Sequence, residues 1–194
     1  MSGRPHKTIT IADYDAAWPA RFERERALIL DACGPGVFEA IEHIGSTSVP
    51  GLAAKPIIDI MPGVRSLAAI TPAVIVRLEG IGHRYVPEYE QSDPTWGEGA
   101  LDRRYFRKDR DGRRAFHMHV VELGSEFWER QLLFRDYLRT HPDDAAAYAA
   151  LKREIAREFN ALPPGERNAH FGYTERKTAF VEATLAKARL RRSV

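Results

Sequence analysis

The segment Lys55-Pro56-Ile57-Ile58-Asp59-Ile60-Met61 constrains this chain more than any other. It is short and almost wholly apolar, which is the signature of a central strand covered on both faces. Its single carboxylate, Asp59, is out of place there. An ionised acid among apolar neighbours is costly unless it is ion-paired, hydrogen-bonded or bound to a cation. A few residues upstream, His43-Ile44-Gly45-Ser46-Thr47-Ser48-Val49-Pro50-Gly51 puts small residues and hydroxyls just past another strand. Backbone N–H groups in such a turn can face an anion; Gly45 lets a phosphate come close, and Ser46 and Ser48 add donors. A strand carboxylate beside a Gly-Ser turn is how a hard divalent cation meets phosphate oxygens. Two plainer readings stand beside this one: an ordinary turn, and an Asp59 that caps loop amides or pairs with Lys55 or an arginine.

The surrounding pattern places these residues on a mixed sheet. Pro19 to Ala32 reads as a first helix, ended by Gly34-Pro35-Gly36, and Val37 to Ile44 as a strand. Ser66 suits the N-cap of a helix running to Gly80, and His83 to Tyr89 suits another strand. Arg103 to Lys108 and Arg113 to Val121 form a hairpin around Asp111-Gly112, a dipeptide that tolerates positive φ. Helices follow from Ser125 to Arg139, Pro142 to Asn160 and Tyr173 to Arg189, the last two separated by Leu162-Pro163-Pro164-Gly165. The order is that of an α+β fold whose mixed β-sheet is flanked by helices, with a helical C-terminal half. With 194 residues, 44% of them hydrophobic, the chain is expected to form one domain. Residues 1–124 supply the mixed-sheet core with its N-terminal helix, and 125–194 the helical part.

Charge and cysteine content narrow the partners. The 29 Lys and Arg stand against 27 Asp and Glu, so the net charge of +2 provides no general polyanion surface, and any basic site is local. The lone Cys33 can close neither an intrachain disulfide nor a cysteine-based zinc site. No secretion signal or membrane-length apolar run is present, so a cytoplasmic protein without a membrane partner is expected.

Within the hairpin, His117 and His119 are two apart and project from one face, while Phe116, Met118 and Val120 fill the other. Two imidazoles could thus be presented towards Asp59, or could simply be hydrogen-bonded and half-exposed. Arg103, Arg104, Arg107, Lys108, Arg110, Arg113 and Arg114 crowd the same hairpin, diluted by Asp102, Asp109 and Asp111. Guanidinium groups suit phosphate oxygens. The strand register decides whether Arg103 or Arg104 shares the histidine face, and Arg104 is taken as the candidate. Lys55 could reach a phosphate or pair with Asp59, and Lys177 could do the same across a cleft. Trp96 suits either base stacking or a buried loop anchor.

The long stretch from Glu42 to Ile60 resembles the signature of the GrpB family. So do Asp13-Tyr14-Asp15 with Trp18-Pro19 and Phe22, Phe116-His117-Met118-His119-Val120-Val121, Phe134-Arg135-Asp136-Tyr137-Leu138, and Tyr173 with Lys177 and Phe180. The resemblance implies a nucleotidyltransferase-type fold, related to a domain fused behind dephospho-CoA kinase in some bacteria. This chain lacks that kinase's G-x-x-x-x-G-K-[ST] loop. Carried over, the resemblance implies a triphosphate turn at Gly45-Ser46 and a first metal-binding carboxylate at Asp59. The second carboxylate position falls on Met61, which cannot hold a hard cation. His117 and His119 are the candidate replacements, as ligands, base or phosphate contacts, with His119 beside Asp59 as the expected metal pair. The cofactor expected is Mg²⁺ or Mn²⁺, or Zn²⁺ if the histidines coordinate.

The expected partner is a nucleotide or a related phosphorylated small molecule. The leading reading is transfer of a nucleoside monophosphate to an acceptor, and the alternative is a catalytically degenerate module binding a nucleotide, a CoA-like ligand or a protein. Nucleic-acid binding through the Arg-rich hairpin ranks below both.

Overall fold

The computed structural model describes residues 8–90, 102–163, 166–167 and 175–192. Five strands, β1 (Ala40–Ile44), β2 (Ile58–Val64), β3 (Arg84–Tyr85), β4 (Arg103–Arg110) and β5 (Arg113–Glu122), form one mixed sheet in the order β1-β2-β5-β4-β3. Only β2 and β5 run parallel; the other neighbours are antiparallel. Asp59 therefore lies in a central strand, opposite Ile44 of β1 and beside His117 of β5.

The sheet's alternation separates two chemistries. One face, carrying Ile58, Ile60, Phe106, Phe116, Met118 and Val120, is covered by helix α1 (Trp18–Cys33) and helix α2 (Pro72–Gly80) through Trp18, Phe22, Ile29, Val74 and Leu78. The other carries Asp59, His117 and His119 alongside an apolar group of Ile44, Met61 and Val121. Phe127 and Trp128 of helix α3 (Glu126–Thr140) cover that apolar group. Helices α4 (Pro142–Ala161) and α5 (Glu175–Arg192) pack on α3 through Leu133, Leu138, Tyr148 and Leu185, together with Val49 and Leu52 from the segment after β1.

Several boundaries depart from the sequence expectation. Ser66 caps only a short 3₁₀ turn, Leu67–Ala69, and α2 starts afresh at Pro72 with Thr71 as N-cap. Pro72 lacks an N–H and its ring would meet the carbonyl four residues back, so one continuous helix cannot pass through it. Strand β2 runs on through Pro62 to Val64; its pairing with β5 skips Met61 and Pro62 and resumes at Gly63. The expected strand from His83 shrinks to Arg84–Tyr85, because Pro87 opens a 3₁₀ turn.

The hairpin turn is as expected, with Asp111 (φ 52) and Gly112 (φ 70) both left-handed. A bulge follows. Asp109 pairs with Arg114, but Lys108 pairs with Phe116, which leaves Ala115 as the extra residue on β5. An unbulged ladder would set Arg104 opposite His119; the bulge sets Tyr105 there and turns Arg104 to the other face, opposite Val120.

Candidate functional site

The turn after β1 is tightly fixed. Gly45 takes φ 68, and a Cβ there would overlap the Asp59 carboxylate, with Asp59 Cγ only 3.0 Å away. Glycine is therefore required both by conformation and by the closeness of the acid. Ser48, expected to offer a phosphate donor, instead donates its hydroxyl to the Gly45 carbonyl at 2.6 Å. The Ser48 carbonyl accepts two bonds from Arg139 of α3. Buried His43 stacks on Phe22 and shares a 2.9 Å hydrogen bond with Thr47 Oγ1. Burial pushes its imidazolium down to about 4, the Asp59 charge opposing and the Arg139 and Arg135 charges assisting. Arg135 donates to Glu42 at 2.6 Å and to the His43 carbonyl at 3.1 Å.

Ser46 is the turn residue whose hydroxyl stays at the opening. It accepts at 2.9 Å from Lys152 Nζ of α4, which also donates to the Ala53 carbonyl. Lys152 is 2% exposed. Burial, then repulsion by Lys177 and Arg153, brings its ammonium down to about 7. Lys55 is brought to about 7 by burial and by Lys177, with Asp59 opposing. Three lysines from three separate segments thus influence one small region.

A cavity of about 190 Å³ opens over this turn. Gly45, Ser46 and Asp59 form its floor, Arg130, Gln131 and Phe134 of α3 and Tyr148 of α4 one side, and Lys177, Thr178 and Val181 of α5 the other. Arg130 is tied to Glu182 by an α3–α5 ion pair. The buried Thr178 Oγ1 on this wall has no hydrogen-bond partner among the described residues.

Asp59 faces the cavity with 28% of its side chain exposed, and its neighbour is an imidazole: Oδ1 lies 3.2 Å from His117 Nδ1. Potential ligand atoms of Asp59, His117 and His119 all lie within 4.8 Å of one another. That donor set suits a divalent cation. His119 is packed against Tyr105 and Phe127. Burial first, then Arg103 and His117, hold its imidazolium well below the ordinary histidine range.

The remaining candidates fall elsewhere. Arg104 lies on the opposite face and pairs with Glu90 at 3.4 Å, while Arg103 reaches His119; the bulge explains the exchange. Met61 shares the Asp59 face but is fully buried with Ile44, Val121, Phe127 and Trp128. Trp96 and Tyr173 lie outside the described residues. Lys152, Tyr148 and Arg130 were not singled out from sequence. Lys152 sits in an ordinary amphipathic helix, and only its 106-residue separation from Ser46, closed by the fold, gives it meaning.

These features define a class: an α+β protein with a glycine-serine turn and a strand carboxylate sharing one cleft roofed by C-terminal helices. The family described as GrpB protein matches residues 8–187, and the chain belongs to it. The chain is 40% identical over 152 residues to the UPF0157 protein YqkA of Bacillus subtilis, covering 78% of this chain but 41% of that protein. It is 34% identical over 154 residues to a dephospho-CoA kinase of Mycolicibacterium paratuberculosis, covering 72% of this chain and 37% of the kinase. The chain thus spans less than half the length of either. The crystal structure of the conserved protein GrpB from Enterococcus faecalis superposes with a TM-score of 0.76 at 30% identity, covering 95% of this chain and all of that one.

Proposed function

We propose that this cleft binds a nucleotide or a related phosphorylated small molecule together with a divalent cation, Mg²⁺ or Mn²⁺. The observation that carries this reading is the meeting of Asp59 with the Gly45–Ser46 turn and Lys177 in one cavity. Opposite charges so placed suit a ligand that is itself an anion carrying a cation. The turn's N–H groups and Ser46 would take phosphate oxygens, with Lys177 and Lys55 as counter-charges. Asp59 and His117 would hold the ion, which when bound neutralises phosphate charge. The orphan Thr178 hydroxyl supports the reading, since a ligand oxygen would satisfy it.

Transfer of a nucleoside monophosphate from a triphosphate to an acceptor hydroxyl or phosphate is the chemistry such a site would perform. The acceptor oxygen would form its bond to the α-phosphorus as the bond to pyrophosphate breaks. A second reading, binding without turnover, is favoured by Met61: the strand position that would hold a second carboxylate is sealed in an apolar cluster.

Calorimetry with the common nucleotides and coenzyme A, each with Mg²⁺ or Mn²⁺, tests the binding. Coenzyme A belongs in the panel because a dephospho-CoA kinase carries a similar stretch. Binding of at least one ligand that Asp59→Ala abolishes supports the proposal, and binding of none overturns it. Pyrophosphate release with a panel of acceptors then separates transfer from simple binding.

A further inference from the structure

Arg103 meets the histidine pair beside Asp59 from a fixed position. It is 3% exposed on β4, and its Nε and Nη2 both donate to the Tyr89 carbonyl, at 3.3 and 2.8 Å. The guanidinium lies over the Tyr105 ring at 4.9 Å. So anchored, it directs Nη1 at His119 Nδ1, 2.9 Å away. Guanidinium has donors and no acceptor, so His119 Nδ1 must accept with its lone pair. In the neutral ring the single proton then sits on Nε2. A histidine that binds metal through one nitrogen needs an acceptor for the N–H on the other, commonly a carboxylate or carbonyl. Arg103 is the reverse of that partner.

We infer that Arg103 is a positioning residue that keeps His119 out of the coordination sphere, so that among the described residues a cation meets only Asp59 and His117 and the remaining positions belong to the phosphorylated ligand and water. The inference rests on the proposed cation site at Asp59 and deepens it. Two protein donors are too few to hold a softer ion tightly, but they suit a hard cation that arrives with its phosphate. Cation and nucleotide then enter together, and the free protein is a weak metal binder.

The test uses the full chain, titrated with Mn²⁺ followed by electron paramagnetic resonance and with Co²⁺ followed by visible absorption. His119→Ala is expected to leave Mn²⁺ affinity within about twofold, whereas Asp59→Ala loses about tenfold or more, the usual scale for a lost ligand or its supporting partner. Arg103→Met frees Nδ1 and is expected to raise Co²⁺ affinity about tenfold, with a new d–d absorption pattern as a ring nitrogen enters; adding His119→Ala removes both changes. A tenfold loss of Mn²⁺ affinity in His119→Ala alone overturns the inference, as does an unchanged Co²⁺ spectrum in a folded Arg103→Met. If Arg103→Met fails to fold, the His119→Ala titration alone decides. Metal affinity indifferent to Asp59→Ala would instead strike the underlying cation site.

Discussion

Lys152 is the buried cation on which the turn's geometry leans, and its replacement by methionine reads out its burial directly. Methionine keeps the length and apolar stem but removes the ammonium. In the folded protein, burial and the charges of Lys177 and Arg153 hold Lys152 to about 7, against an ordinary 10.5. Between those values the unfolded chain binds a proton that the folded chain does not. Stability therefore rises with pH through this window, by about 1.4 kcal/mol per pH unit, and the slope vanishes below it, where both states are protonated. From about pH 7, where the folded amine is half titrated, to about pH 9, the wild type should gain about 2 kcal/mol over Lys152→Met. Lys55 also titrates near 7, but it does so in both proteins and largely cancels in the difference. Acceptors left by the lost ammonium, Ser46 Oγ and the Ala53 carbonyl, offset the two curves without making them diverge. Urea unfolding by far-ultraviolet circular dichroism, at one ionic strength across this range, measures the difference. Parallel curves would refute the placement of Lys152 as a desolvated cation.

Further predictions follow from single contacts. Gly45→Ala combines a left-handed φ with overlap on Asp59 and should cost about 2–4 kcal/mol in urea unfolding; a cost under about 1 kcal/mol would show that the turn relaxes freely. Met61→Asp restores a carboxylate by sequence but puts it in the cluster under Trp128; it should lose more than about 3 kcal/mol of stability in urea unfolding and release pyrophosphate no faster than the wild type. Thr71→Ala removes the cap that restarts α2 at Pro72 and should cost about 1 kcal/mol, measured as a fall in the urea midpoint.

How much of this was legible in the sequence varied with the range of the interaction. The apolar run around Asp59 marked a central strand because both of its faces are filled, and the two-residue period of β5 set His117 and His119 on one face. The left-handed pair Asp111-Gly112 marked the hairpin's turn correctly, yet it could not reveal that Ala115 is bulged. One unpaired residue exchanged Arg104 for Arg103 beside His119, because a shift of one reverses every later side chain. The helix expected from Ser66 overlooked the stop imposed by Pro72 on its own N–H side. Lys152, Tyr148 and Arg130 carried no local signal at all. Helical periodicity explains them equally well as packing residues, and only the closure of α3, α4 and α5 over the turn brings Tyr148 and Arg130 to the cleft wall and Lys152 to Ser46.

The most direct measurement is an anomalous-scattering map from crystals grown with Mn²⁺ and a nonhydrolysable nucleoside triphosphate. A manganese peak at coordination distance from Asp59, with phosphate density against the Gly45–Ser46 amides, is the predicted result. Nucleotide and manganese both absent from that cleft, or seated together elsewhere on the molecule, would contradict it.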